Sequence, residues 1–242
     1  DTYANGPFKL LGRQHQLMAG ASYSRQHNAT FSQDGPMDAS QIGIFDNNWN
    51  GSVAQPEWGD WYQNADDIVR QKSAYTAARL SLADPLSLII GARYTQYSTD
   101  GSSGDMRKYN ITPYGGLVYD LTESLSAYAS YTSIFAPQTK RSVDGSWLSP
   151  VTGKNYETGL KADWADGRLT TNFAVFRIEQ ENAAEEVSGE FVNGSSEQAY
   201  RSTSGAVSKG AEFEVNGAVT DNLQLTFSAT RYVATDSDGR YN

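Results

Sequence analysis

Residues Lys154–Trp164 read KNYETGLKADW. Tyr156, Thr158, Leu160, Ala162 and Trp164 fall on one parity and Glu157, Gly159, Lys161 and Asp163 on the other, the pattern of a strand with one apolar and one charged face. The apolar face has two places to go. In a soluble sandwich it meets a second sheet, and in a membrane barrel it meets lipid.

The rest of the chain repeats the pattern. Leu86, Leu88, Ile90, Ala92 and Tyr94 share one parity and Ser87, Gly91, Arg93, Thr95 and Tyr97 the other, with Ile89 out of pattern. Further on, Ala211, Phe213, Val215 and Val219 oppose Glu212, Glu214 and Asn216. About ten such segments are predicted: 2 to 11, 15 to 26, 67 to 82, 86 to 99, 109 to 121, 124 to 136, 154 to 164, 168 to 183, 198 to 219 and 223 to 235. Tight turns are expected at GRQH (12 to 15), ADP (83 to 85), LTE (121 to 123), ADG (165 to 167) and TDN (220 to 222). Between them lie longer polar stretches at 27 to 66, 100 to 108, 138 to 153 and 184 to 198. Connections that are short at one end and long at the other mark the periplasmic turns and extracellular loops of an outer-membrane barrel.

Many of these segments run well past the 5 or 6 residues usual for globular strands. A sandwich must also turn Arg93, Lys161, Asp163, Glu212 and Glu214 to water, since a dry core does not accept them. Trp164, Tyr119, Tyr94 and Tyr131 stand near strand ends, where interfacial girdles are built. The expectation is an all-β antiparallel meander of long strands forming part of a transmembrane β-barrel.

Composition agrees. The mean hydropathy is negative and no apolar run nears the roughly 18 residues of a membrane helix. A barrel strand needs only every second residue apolar, so a barrel passes for soluble on average. The net charge of -9 excludes a nucleic-acid surface, which needs clustered Lys and Arg. With no cysteine, thiolate metal sites and thiol catalysis are excluded as well. No nucleophile–base pair, phosphate-binding glycine loop or metal spacing is visible, so no enzyme is expected. If the tight turns are periplasmic, the first segment runs inward and the last outward, and both would present open edges. Residues 1–242 are therefore expected to be one partial barrel domain, the middle of a larger barrel.

Five stretches resemble one family, the TonB-dependent siderophore receptors: GPFKLLGRQHQLMAGASYSRQ (6 to 26), LADPLSLIIGARYTQY (82 to 97), TPYGGLVYDLTESLSAYASYTSIFAPQ (112 to 138), TGKNYETGLKADWADGRLTTNFAVFRIEQEN (152 to 182) and SKGAEFEVNGAVTDNLQLTFSATRY (208 to 232). Within the family the likeness is nearest to the ferric coprogen and rhodotorulic acid receptors. The resemblance implies a 22-stranded barrel with a plug, a TonB box and TonB-driven uptake. The plug, the TonB box and the closing strands have no recognisable counterpart in this sequence. The implied location is the bacterial outer membrane. The implied partners are a ferric hydroxamate siderophore, outer-membrane lipid and lipopolysaccharide, and TonB through the missing plug and box. No cofactor is implied.

A siderophore already fills the coordination sphere of its iron, so a receptor grips an organic shell and needs no metal ligands. Two histidines in the whole chain fit that need. For a near-neutral ferric hydroxamate the expected grip is aromatic surface with a few donors and one Arg. NNWNGSVAQPEWGDWYQN (47 to 64) concentrates Trp49, Trp58, Trp61 and Tyr62. It reads as a clamp at a barrel mouth or as a loop packed on its own rings. Trp147 in VDGSWLSP is a further loop candidate. On the wall, parity sends Arg93, Thr95 and Tyr97 to the lumen, with Tyr97 the leading candidate and Arg93 as suited to a plug or lumenal carboxylate as to a ligand. Gln180 and Asn182 are rim donors. A passive or structural barrel and a soluble carbohydrate-binding module are the alternatives.

Overall fold

The computed structural model describes residues 1–35, 57–236 and 240. Its elements are all strands: β1 (Thr2–Leu10), β2 (Arg13–Ser32), β3 (Tyr62–Ala83), β4 (Leu86–Gly101), β5 (Met106–Asp120), β6 (Leu125–Ala136), β7 (Val151–Trp164), β8 (Leu169–Glu181), β9 (Ala183–Phe191), β10 (Gln198–Thr203), β11 (Val207–Thr220) and β12 (Leu223–Thr235). Ten form one sheet in the order β1-β2-β3-β4-β5-β6-β7-β8-β11-β12, while β9 and β10 pair with each other. The chain divides into two units, one of residues 1–23, 71–97 and 108–242, the other of residues 24–70 and 98–107.

The meander is the expected one, with a correction between 183 and 206. The segment read as one strand from 198 to 219 is two. Ser204–Ala206 interrupt it, with Gly205 donating its N–H to the Gln180 carbonyl at 2.8 Å. β9 and β10 leave the sheet as a separate hairpin, so β8 pairs directly with β11. The first tight turn is Leu11–Gly12, at φ 50° and 77°. That is the two-residue hairpin geometry that needs positive φ at both positions, and glycine takes the second without strain.

Register lines up the two faces of the larger unit. Ala127, Leu160, Phe173, Phe213 and Ala229 are successive partners across β6, β7, β8, β11 and β12. One step along every strand lie the polar residues, Lys161 opposite Asn172 and Glu212 opposite Ala174. The apolar face is uncovered: Leu160 is 44% exposed, Phe173 47% and Phe213 41%. No large side chain among the described residues is fully buried. Two stacked sheets would have hidden these residues, so the sandwich alternative fails on the side chains that define it.

The polar face is packed closely. Tyr128 lies over Gly159, and a Cβ there would sit 2.7 Å from the Tyr128 ring and against the Phe173 carbonyl. Tyr128 then donates its hydroxyl to Glu157 at 2.6 Å. Gly91 repeats the device, its missing side chain leaving room for Tyr114 with the Thr76 carbonyl 2.5 Å from an added Cβ. Glycine in a strand is weakening by itself, and a ring laid over it restores buried area. Gly159→Val is expected to force β7 and β8 apart and lower unfolding stability by about 1–3 kcal/mol. Denaturant titration of the folded barrel measures this, and an unchanged midpoint would show that the contact is slack.

At the tight-turn end, Arg13 pairs with Asp84 at 2.8 Å and Arg168 with Asp221 at 2.6 Å. Each arginine ties one turn to a neighbouring turn, which closes that end with matched charge.

Candidate functional site

Three of the loop aromatics, Trp58, Trp61 and Tyr62, lie in the smaller unit at one end of a loop whose two ends are tied. The Gly59 N–H donates to the Asp34 carbonyl at 2.8 Å, and the Gln33 amide donates to the Gly59 carbonyl at 3.0 Å. The Tyr62 hydroxyl donates to the Asp34 carboxylate at 3.0 Å, and Asn64 donates to Ser32. This neck presents Trp58 at 52% and Trp61 at 66% exposure. Acceptance by Asp34 holds the Tyr62 phenol above its ordinary pKa, so it remains a neutral donor. Trp49 lies outside the described residues.

Below the neck, side chains cross-tie the strands. His27 Nε2 meets Asp66 at 2.5 Å, and Arg70 pairs with Asp100. Asp67 receives the Ser103 N–H at 2.9 Å and the Ser103 hydroxyl at 2.6 Å. The strands here continue past the roughly 9–11 residues that span a bilayer, so this turn stands in water. The Ser103 donors favour the ionised carboxyl and lower the Asp67 pKa. A lowered carboxyl pKa stabilises the turn fully above the unfolded value of about 3.9, and this contribution is lost as pH falls through the lowered folded value. Amide exchange at Ser103, corrected for intrinsic rate, is therefore expected to be protected at neutral pH and to lose protection on acidification. In Asp67→Asn the same protection should be weak throughout; equal protection in both proteins would remove Asp67 from the role.

The wall and second-loop candidates lie in the larger unit. Arg93 and Tyr97 share the polar face of β4. Arg93 donates to Ser73 at 2.7 Å and Ser22 at 3.2 Å, and its guanidinium lies 5.9 Å from the Tyr75 ring centre. Its contacts are hydroxyls and a ring, with no carboxylate. Trp147 is held by its loop: Arg141 stacks on its ring at 3.9 Å, and Lys108 donates to its carbonyl at 3.3 Å. The loop docks on β9–β10, where Tyr200 N–H donates to the Arg141 carbonyl and Asn193 N–H to the Val143 carbonyl, both at 2.8 Å. Asn182 is occupied locally, its amide donating to the Pro150 carbonyl at 3.2 Å. Among the described residues no cluster of His, Asp or Glu is arranged to hold a metal ion.

Sequence alone did not point to Asp34, because its contact with Tyr62 spans a loop and leaves no periodic trace. The Arg141–Trp147 stack had a weak signal, a cation and an indole in one short loop.

These features match a known architecture. A family model described as TonB dependent receptor-like, beta-barrel, covers residues 1–242, and the chain belongs to that family. It is 36% identical to the ferripyoverdine receptor of Pseudomonas aeruginosa over 99% of this chain and 30% of that receptor. It is 28% identical to the ferrioxamine B receptor of Salmonella typhimurium over 96% of this chain and 33% of the relative. A solved complex of the P. aeruginosa receptor with a heterologous ferric pyoverdine superposes with a TM-score of 0.87 at 36% identity, covering 99% of this chain and 32% of that one. The alcaligin outer-membrane receptor of Bordetella pertussis gives 0.78 at 29% identity, covering 99% and 39%.

The chain thus spans about a third of the length of the curated relatives it matches. Those relatives are receptors and not enzymes. Their names speak of pyoverdine, ferrioxamine B and alcaligin, whereas the sequence likeness had leaned to coprogen and rhodotorulic acid. The chain is part of an outer-membrane barrel wall, its apolar face toward lipid and its polar face toward the lumen.

Proposed function

We propose that this chain supplies part of the wall and the ligand-gripping loops of a receptor that takes up a ferric hydroxamate siderophore with energy from TonB. The observation that carries the reading is the pair of exposed indoles, Trp58 and Trp61, held at a tied loop neck in a barrel of this family. Exposed tryptophan is costly in water and suits the organic shell of a bound chelate. Tyr62 and Trp49 of the same loop segment are proposed as further ligand contacts, and Trp147, Tyr97 and Arg93 of the larger unit are each proposed separately as a ligand contact.

Charge supports the hydroxamate class. In the described part of the smaller unit, Asp34, Glu57, Asp60, Asp66, Asp67, Asp100 and Asp105 face only Arg25, Arg70 and Arg107. Hydroxamate anions cancel the ferric charge, whereas catecholates leave a strongly anionic complex that such a surface repels. The names of the ferrioxamine B and pyoverdine receptors among the relatives support siderophore uptake. TonB coupling is proposed from family membership.

The test is tryptophan quenching in the receptor that carries this chain. Ferric coprogen or ferrioxamine B is expected to quench saturably, and a ferric tris-catecholate to bind at least tenfold more weakly. Equal or tighter catecholate binding overturns the hydroxamate assignment. No saturable response to any ferric siderophore overturns the receptor reading.

A further inference from the structure

We propose that His27 is a positioning residue whose positive charge tightens the neck that carries Trp58 and Trp61, so that the grip on the ferric siderophore strengthens as pH falls from about 8 to about 5.5. The effect on the grip rests on the siderophore reading, while the tightening of the neck does not.

The neck stands on β2 and β3. β4 ends at Gly101, level with Asp66, whose carbonyl accepts the Ser102 N–H at 3.1 Å and whose own N–H donates to the Ser102 hydroxyl at 2.8 Å. Beyond that level β2 continues to Ser32, and β3 begins at Tyr62. A two-stranded ribbon in water is marginally stable, so each cross-tie on it counts. Three side-chain ties climb this one: His27 with Asp66, Ser32 with Asn64, and Asp34 with Tyr62. Ser32 and Asn64 have no proton to exchange in this pH range, and Tyr62 stays neutral because its bond to Asp34 raises its pKa. The lowest tie is the one that holds a histidine, the side chain that ordinarily changes charge there.

Geometry gives the change its sign. His27 Nε2 lies 2.5 Å from the Asp66 carboxylate. A neutral imidazole protonated at Nε2 offers that oxygen an ordinary hydrogen bond, whereas an imidazolium offers a charge-assisted one, roughly twice as strong. The tie is therefore strongest with His27 protonated and weakens as pH rises through the histidine range.

The charged groups around the pair leave this sign intact. On β3, Arg70 is held by Asp100 of β4, and Asp67 stays ionised because its bonds from Ser103 lower its pKa. Arg25, two residues before His27 on β2, is open to water, where salt screens its repulsion. Asp105 and Arg107 follow the turn, and Asp34, Glu57 and Asp60 lie at the neck. Carboxylates outnumber guanidiniums in the described part of this unit, so no excess of positive charge opposes an imidazolium.

The test measures amide exchange, corrected for intrinsic rate, at residues 28–34 and 59–65 of the purified receptor, together with calorimetric titration of ferric coprogen, both from pH 8 to pH 5.5. Both groups of the pair are 52% exposed, so wild-type protection is expected to rise by about threefold toward pH 5.5. His27→Gln keeps a donor without a titrating charge, and His27→Lys keeps a fixed charge; protection should be independent of pH in both. Relative to His27→Gln, which cancels the pH dependence of the siderophore itself, the wild-type dissociation constant should fall by about threefold over the same range. Should one replacement fail to fold, the other supplies the reference. Flat or falling protection in wild type, or an equal rise in His27→Gln or His27→Lys, overturns the proposal. A rise in protection with no change in relative affinity overturns the coupling to the grip. Absence of ferric coprogen binding at every pH counts against the siderophore reading instead, and the exchange profile still decides whether His27 tightens the neck.

Discussion

Phe213→Arg is expected to cost the barrel about 2–4 kcal/mol, and Glu214→Arg, one residue on, less than about 1 kcal/mol. The two positions differ in parity alone. Phe213 stands midway along the apolar side of β11, opposite Phe173 and Ala229, where an arginine must bring its charge into hydrocarbon. Glu214 points into a hydrated lumen beside Glu212, where replacing one of two like charges relieves repulsion. Phe213→Leu preserves apolar area and should lie within about 1.5 kcal/mol of wild type, which separates charge from lost ring packing. Reversible unfolding from lipid vesicles, scored by denaturant midpoint and heat-modifiable migration, supplies the measurement. If the costs of the two arginine variants are equal or reversed, the apolar face does not lie in lipid.

The fold was legible because the physics that sets it is periodic. A strand between lipid and water alternates along its whole length, and KNYETGLKADW carries the alternation without a break. The departures came where alternation stops deciding. From 198 to 219 the parity continues through Ser204–Ala206, and nothing apolar there is exposed to the wrong solvent by a fold-back, so sequence alone saw one strand where the chain makes β10 and β11. β2 and β3 run farther than predicted because backbone pairing continues into water, where polar side chains carry no face preference. The site was legible by residue type and not by contact. Exposed indoles signal themselves through composition, whereas Asp34 reaches Tyr62 across a loop and Ser103 reaches Asp67 across strands.

Trp58→Ala combined with Trp61→Ala is expected to weaken ferric hydroxamate binding by roughly 100-fold, with each single change giving about tenfold. The competing account is that the indoles serve their own loop, and the structure separates the two. A loop-core tryptophan is buried by its neighbours, as Leu148 and Val192 are in the other loop region. Trp58 and Trp61 keep more than half of their surface open, while the bonds that hold the neck come from Gly59, Gln33, Asn64 and the Tyr62 hydroxyl. Removing the rings should therefore reduce affinity and leave the neck intact, with amide protection at Gly59 unchanged. Tyr62→Phe should do the reverse, loosening the neck while changing affinity by less than the indole variants. Trp147→Ala is expected to matter less than either indole, since Arg141 already covers its ring. Calorimetric titration with ferric coprogen measures the five variants against wild type. Wild-type affinity in both single indole variants removes them from the grip, and loss of Gly59 protection together with affinity returns them to a structural role.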